Sequence, residues 1–103
     1  MMITKIQYTV KPEFVETNKQ NIQAVMEELK SLGNNNIRYS SYIFEDGKTF
    51  MHFVVAKDEE TNKILTGLEV FKKFQTELKA SGPEVPPKVD HLNLVGSSFE
   101  ILS

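Results

Sequence analysis

Residues 36–57 hold two apolar runs joined across Asp46-Gly47, and this arrangement limits the fold more than any other feature of the chain. Asp-Gly between strand-like segments marks a β-hairpin, because both central residues of a tight turn can take positive φ. The second run, Thr49-Phe50-Met51-His52-Phe53-Val54-Val55, is apolar at nearly every position, the pattern of a strand buried on both faces. In a chain of 103 residues such a strand needs a helix layer on one side and another cover on the other. We read that other cover as a second copy of the chain.

The flanking segments supply the helix layer. Residues 3–10 alternate and form strand one, and Lys11-Pro12 stops the ladder because proline has no N–H to give. A helix is expected over residues 13–32, with Phe14, Ile22, Val25, Met26, Leu29 and Leu32 on one stripe that Asn18 interrupts. Gly33 and the asparagines after it end that helix. Strand two covers residues 37–45 and strand three residues 48–56. Asp58 then caps a second helix running to Ala80, whose stripe holds Ile64, Leu65, Leu68, Phe71, Phe74 and Leu78. A break or kink is expected at Gly67. Ser81-Gly82-Pro83 ends this helix, residues 84–88 form an extended linker around Pro86-Pro87, and strand four covers residues 89–95. The order βαββαβ predicts one domain over residues 1–103. Its class is α+β, a ferredoxin-like four-stranded antiparallel sheet with both helices on one face and strand one between strands three and four.

Giving the more apolar parity of each strand to the helices places Ile6, Tyr8, Val10, Met51, Phe53, Val55, Leu92 and Leu94 in the core. The open face then carries Lys5, Gln7 and Thr9, with Phe50, His52 and Val54, and with His91, Asn93 and Val95. Strand two is mixed on both parities, and Arg38, Ser40, Tyr42 and Phe44 are one of its two candidate sets for that face. A face with Phe50, Val54 and Val95 is greasier than a monomer usually exposes. It predicts a homodimer through the open sheet face, with a partly polar lumen between the two sheets.

Within that lumen His52, Gln7 and Asn93 are expected to converge from strands three, one and four. His52 is the candidate catalytic residue, a general base, since imidazole titrates near neutral pH. Gln7 and Asn93 would orient a carbonyl or hydroxyl, Arg38 would meet an anionic group, Tyr42 would donate or stack, and Phe50 would add an apolar wall. Each has a structural alternative. His52 can be a packed histidine satisfied across the dimer, Gln7 and Asn93 lumen hydrogen-bond partners, Arg38 half of an edge ion pair, and Phe71 and Phe74 core aromatics. His91, beside Asp90, reads as a surface residue.

Composition removes several classes. Without cysteine there are no disulfides, thiolate ligands or cysteine nucleophiles, and the two histidines would need carboxylates to complete a metal site. A net charge of -2 gives no electrostatic reason to expect nucleic acid or an anionic membrane. No apolar run approaches the ~20 residues that span a bilayer. The first residues lack the basic-then-apolar order of a signal peptide, so a cytoplasmic setting is expected. Glycine-rich phosphate loops, His-Glu-x-x-His and Gly-x-Ser-x-Gly are absent, and no metal or cofactor is expected.

The βαββαβ order, the open sheet face and the Phe71-Lys72-Lys73-Phe74 turn of the second helix resemble the dimeric α+β barrel superfamily. Within it the resemblance is to small proteins of the antibiotic-biosynthesis monooxygenase type, over residues 3–98. It implies the fold and the sheet-to-sheet dimer. That group includes cofactor-independent oxygenases of polycyclic aromatics, haem-degrading enzymes and proteins of unassigned function. The haem-degrading members depend on a strand-one asparagine, a tryptophan and a helix-two histidine. Here the nearest strand-one residue is Gln7, tryptophan is absent, and helix two has no histidine. The aromatic-oxidising members likewise use asparagine and tryptophan. The expectation is therefore a small-molecule-binding homodimer, with cofactor-free monooxygenase-like or isomerase-like chemistry as the activity to test. The alternative is a non-catalytic ligand-sensing or assembly module of the same fold. A nucleic-acid binder is disfavoured, since it would need stacking aromatics in a basic surround.

Overall fold

The computed structural model describes residues 1–102, built around a central strand, β1 (Met2–Thr9). A 3-10 turn at Pro12–Phe14 leads into helix α1 (Val15–Leu32). Strands β2 (Ile37–Ile43) and β3 (Thr49–Ala56) form a hairpin, followed by helices α2 (Glu59–Thr66) and α3 (Glu69–Ala80) and strand β4 (Val85–Leu92). The four strands make one antiparallel sheet in the order β2-β3-β1-β4. This is the ferredoxin-like α+β arrangement, with β1 between β3 and β4 as the sequence implied. No helix among the described residues is long and apolar enough to cross a membrane.

Local chemistry sets the boundaries. Gly33 closes α1 at φ 62°, a left-handed conformation that costs glycine no Cβ clash. Asp58 caps α2, its Oδ1 accepting the Thr61 backbone N–H at 2.8 Å. The expected second helix is two helices: α2 stops at Thr66, and extended Leu68 starts α3. The disruption expected at Gly67 is thus a full break. The hairpin forms where Asp46-Gly47 predicted it, but as a longer loop. The Phe44 backbone N–H donates to Thr49 O at 2.8 Å, and of the turn residues only Gly47 has positive φ, 73°. Asp46 Oδ1 accepts the N–H groups of Lys48 and Thr49 at 3.0 and 2.9 Å, which fixes the loop.

Strand β4 begins four residues earlier than expected, so the segment read as a linker is strand, while Asn93, Leu94 and Val95 lie beyond its end. Prolines argue against a central strand but are tolerated at an edge, where a missing N–H breaks no second ladder. Here the β1–β4 register also shifts between Gln7 and Thr9, so that Tyr8 lies opposite Pro86-Pro87. The shift is a β-bulge that accommodates both rings.

The second correction concerns sidedness. Ile6 pairs with His52 and Tyr8 with Phe50, and directly opposed residues point to the same face. Because Ile6 and Tyr8 pack on the helices, Phe50, His52 and Val54 do too. All three are buried, while Met51, Phe53 and Val55 are half-exposed on the helix-free face. The more apolar parity is not the core parity here, because a polar residue, His52, is buried with partners. On β4, opposition to Thr4 and Ile6 puts His91 and Val89 on the helix side, and Leu92, opposite Ile3, on the open side. His91 is exposed. On β2, Tyr39 and Ser41 face the helices while Arg38, Ser40 and Tyr42 share the open face.

The core joins Tyr8, Val10, Phe50, Val54 and Ala56 of the sheet region to Ile22 and Val25 of α1, Leu65 of α2, and Phe71, Phe74 and Leu78 of α3. Full burial of a large apolar side chain contributes roughly 1.5–3 kcal/mol. The helix-free face remains apolar along Ile3, Met51, Phe53, Val55 and Leu92, with Lys5 and Asp90 opposed among them.

Candidate functional site

Three residues that the strand pattern sends towards the helices carry polar atoms into the core: Tyr8 on β1, Tyr39 on β2 and His52 on β3. A fourth, Asn18, comes down from α1, where it interrupts the apolar stripe. Tyr8 Oη lies 2.7 Å from His52 Nε2, and Tyr39 Oη lies 3.0 Å from His52 Nδ1. Asn18 Nδ2 donates to Tyr8 Oη at 2.9 Å. The result is a continuous chain, Asn18–Tyr8–His52–Tyr39, in which both imidazole nitrogens are engaged. His52 is 1% exposed and Asn18 0%. Asn18 Oδ1 is buried with no hydrogen-bond partner among the described residues.

Aromatic packing holds the imidazole in place. The Tyr8 ring is stacked beside it at 5.3 Å, and Tyr39 and Phe74 meet it edge-on at 5.5 and 5.6 Å. Burial sets the electrostatics. It penalises the imidazolium and lowers the His52 pKa from 6.5 to about 4, so the ring is neutral at physiological pH. Burial also raises both tyrosine hydroxyls above their ordinary range, partly offset at Tyr8 by the Asn18 hydrogen bond and reinforced at Tyr39 by Tyr8. All three groups are therefore uncharged. The chain can position and polarise a bound molecule, but it presents no fixed charge.

A cavity of about 420 Å³ opens beside this chain, between the sheet and α3. Its floor is Ile6, Tyr8, Tyr39, His52 and Val54, and its roof is Phe71, Phe74, Gln75, Leu78 and Lys79. The α3 residues fall at i, i+3, i+4, i+7 and i+8, one helical face about 12 Å long at 1.5 Å per residue. Pro83, Pro86, Pro87 and Val89 complete the wall on the β4 side. Gln75, Lys79, Pro86, Pro87 and Val89 are exposed, so this side is the mouth, and the bulge opposite Tyr8 shapes it. A wider cleft of about 550 Å³ lies at the other edge, lined by Met26, Leu29, Lys30 and the 33–40 segment. It shares Tyr39, one end of the polar chain, but not Tyr8 or His52.

The residues singled out from sequence fall in three places. His52 and Phe50 lie on the helix side, and only His52 lines the cavity. Gln7, Arg38 and Tyr42 lie on the open face, with Tyr42 and Gln7 both opposite Met51. Asn93 follows the end of β4. His52, Gln7 and Asn93 do not converge. His52 is packed, as its structural alternative held, but its partners come from its own chain. Sequence reasoning passed over Tyr8, Tyr39 and Asn18. The break that Asn18 makes in the α1 stripe was the available signal, since an amide at a core position needs a polar partner.

No family model matches the chain, and no curated protein matches it in sequence. Solved structures match its fold. An antibiotic biosynthesis monooxygenase superposes with a TM-score of 0.76 at 15% identity, covering 93% of this chain and 100% of the other. Rv0793 from Mycobacterium tuberculosis gives 0.78 at 12%, covering 95% and 98%. A variant of SnoaB, a cofactor-independent oxygenase from Streptomyces nogalater, gives 0.65 at 14%, covering 96% and 97%. The chain thus has the fold of the antibiotic-biosynthesis-monooxygenase-like α+β proteins. Identities this low speak to fold alone.

Proposed function

We propose that the protein binds a small, largely apolar molecule in the cavity between the sheet and α3, as a homodimer joined through its helix-free sheet faces. The observation that carries the binding reading is a mostly apolar cavity whose one interior polar feature is the Asn18–Tyr8–His52–Tyr39 chain. Such a combination of apolar walls and a few placed polar groups is what small-molecule sites present. The activity that fits is cofactor-free proton or oxygen chemistry on the bound molecule, a reading supported by the shared fold with a cofactor-independent oxygenase. In it His52 relays a proton between the two hydroxyls. Gln7, Arg38 and Tyr42 belong to the dimer face in this reading and not to the ligand.

A specific observation favours the non-catalytic alternative, a ligand-sensing module. A pKa near 4 makes His52 a weak base, and both its nitrogens already have partners. Oxygen uptake with naphthol as probe separates the two, since an oxygenase consumes oxygen and forms product while a sensor only saturates.

The binding reading is tested with anilinonaphthalene sulfonate, whose emission rises in apolar surroundings. Saturable enhancement is expected at one equivalent per chain, and Val89→Trp, which fills the mouth, should weaken it at least roughly tenfold. Equal enhancement by the variant would place the dye elsewhere.

A further inference from the structure

The polar chain has a direction, and that direction decides what kind of molecule the cavity accepts. Asn18 Nδ2 donates to Tyr8 Oη, so the remaining Tyr8 proton is free for His52 Nε2. With Nε2 accepting, the ring proton sits on Nδ1, which donates to Tyr39 Oη. Tyr39 then keeps its own proton, for which no acceptor is present among the described residues. Its hydroxyl lies 3.0 Å from His52 Nδ1, and Tyr39 and His52 both line the apolar cavity, whereas only Tyr39 of the two lines the wider cleft.

The opposite direction strands a donor. If His52 Nε2 donated to Tyr8 while Asn18 stayed as it is, the Tyr8 O–H would be buried without an acceptor. If the Asn18 amide were turned over to take that proton, its NH2 group would stand where Oδ1 now has no hydrogen-bond partner. Buried unpaired N–H groups are rarer than under-satisfied carbonyl oxygens. The arrangement found leaves the Oδ1 carbonyl unmatched in the core and, at the other end, the O–H of Tyr39, a half-buried residue that lines the cavity.

We infer that Asn18 is a positioning residue that holds this direction, so that Tyr39 offers a donated O–H to the cavity and the site selects ligands carrying a neutral hydrogen-bond acceptor, a carbonyl above all, over ligands offering a donor. This deepens the proposed function and rests on the cavity being the ligand site.

Two measurements test it. With isotope-labelled ring nitrogens, NMR reports which His52 nitrogen carries the proton, and exposed His91 serves as reference. The expected result is protonated Nδ1 and bare Nε2 in the unliganded protein, reversed in Asn18→Asp once that carboxylate is ionised and can only accept from Tyr8. A proton on Nε2 in the wild type overturns the inference, whether or not the variant folds.

For ligand class, fluorenone, fluorene and carbazole share a flat frame and differ by a carbonyl, a methylene and an N–H. Fluorenone is expected to bind roughly threefold to tenfold tighter than fluorene, the value of one net hydrogen bond. Carbazole should gain nothing, and Tyr39→Phe should erase the fluorenone advantage. Carbazole binding as tightly as fluorenone overturns the ligand class. Failure of all three to bind overturns the cavity reading on which that class rests, while the ring tautomer still decides the direction of the chain.

Discussion

Burying an imidazole favours its neutral form, and at His52 this couples stability to pH. The folded-state pKa is lowered from 6.5 to about 4. Between those values the unfolded chain holds a proton that the folded chain does not. This contribution is therefore fully present above about pH 6.5 and is lost as the pH falls through 4, amounting to roughly 3 kcal/mol. Asp46 and Asp58 are held below the usual carboxylate range by hydrogen bonds from Thr49 and Thr61, and they add acid sensitivity only below about pH 4. Urea unfolding of wild type should thus weaken between pH 6.5 and 4.5, and His52→Gln should flatten that limb. Parallel decline of the two proteins would remove His52 as the cause. At this scale the sequence identified His52 as the residue to watch but placed it on the wrong face. Its true partners are two tyrosines distant in sequence that the strand register brings beside it, and the helix amide of Asn18 joins through Tyr8.

Elements were legible where a local signal was strong. Gly33, Asp58 and Gly67 each mark a boundary by their own backbone or capping chemistry, and the helices end or start there. Asp46-Gly47 announced the hairpin, yet not its length, since the loop closes between Phe44 and Thr49. With φ at 73°, Gly47→Ala should destabilise by about 1 kcal/mol, while asparagine, which tolerates this region better, should cost less. Equal midpoints for the two variants in thermal unfolding would contradict that account. Strand β4 was misplaced because Pro86-Pro87 reads as a linker. An edge strand with a bulge accepts both prolines, and the same bulge leaves the cavity its mouth.

For the whole molecule, the decisive quantity is register. One residue of slip exchanges the two faces of a strand, and parity inferred from apolarity failed on β3 because its buried set includes a histidine. The broader expectation of a greasy helix-free face survives with other residues: Ile3, Met51, Phe53, Val55 and Leu92 replace Phe50, Val54 and Val95. If that face joins two copies, sedimentation at tens of micromolar should give a dimer, and Phe53→Lys should give a folded monomer by placing like charges at the contact. A wild-type monomer would remove the dimer and leave the cavity on the helix side intact. That cavity is the central claim, and methyl NMR during titration with anilinonaphthalene sulfonate locates it directly. Shifts confined to Ile6, Val54, Leu78 and Val89 are the predicted result. Shifts at Ile3, Met51, Val55 and Leu92, with the first group unmoved, would contradict it and return the ligand to the open sheet.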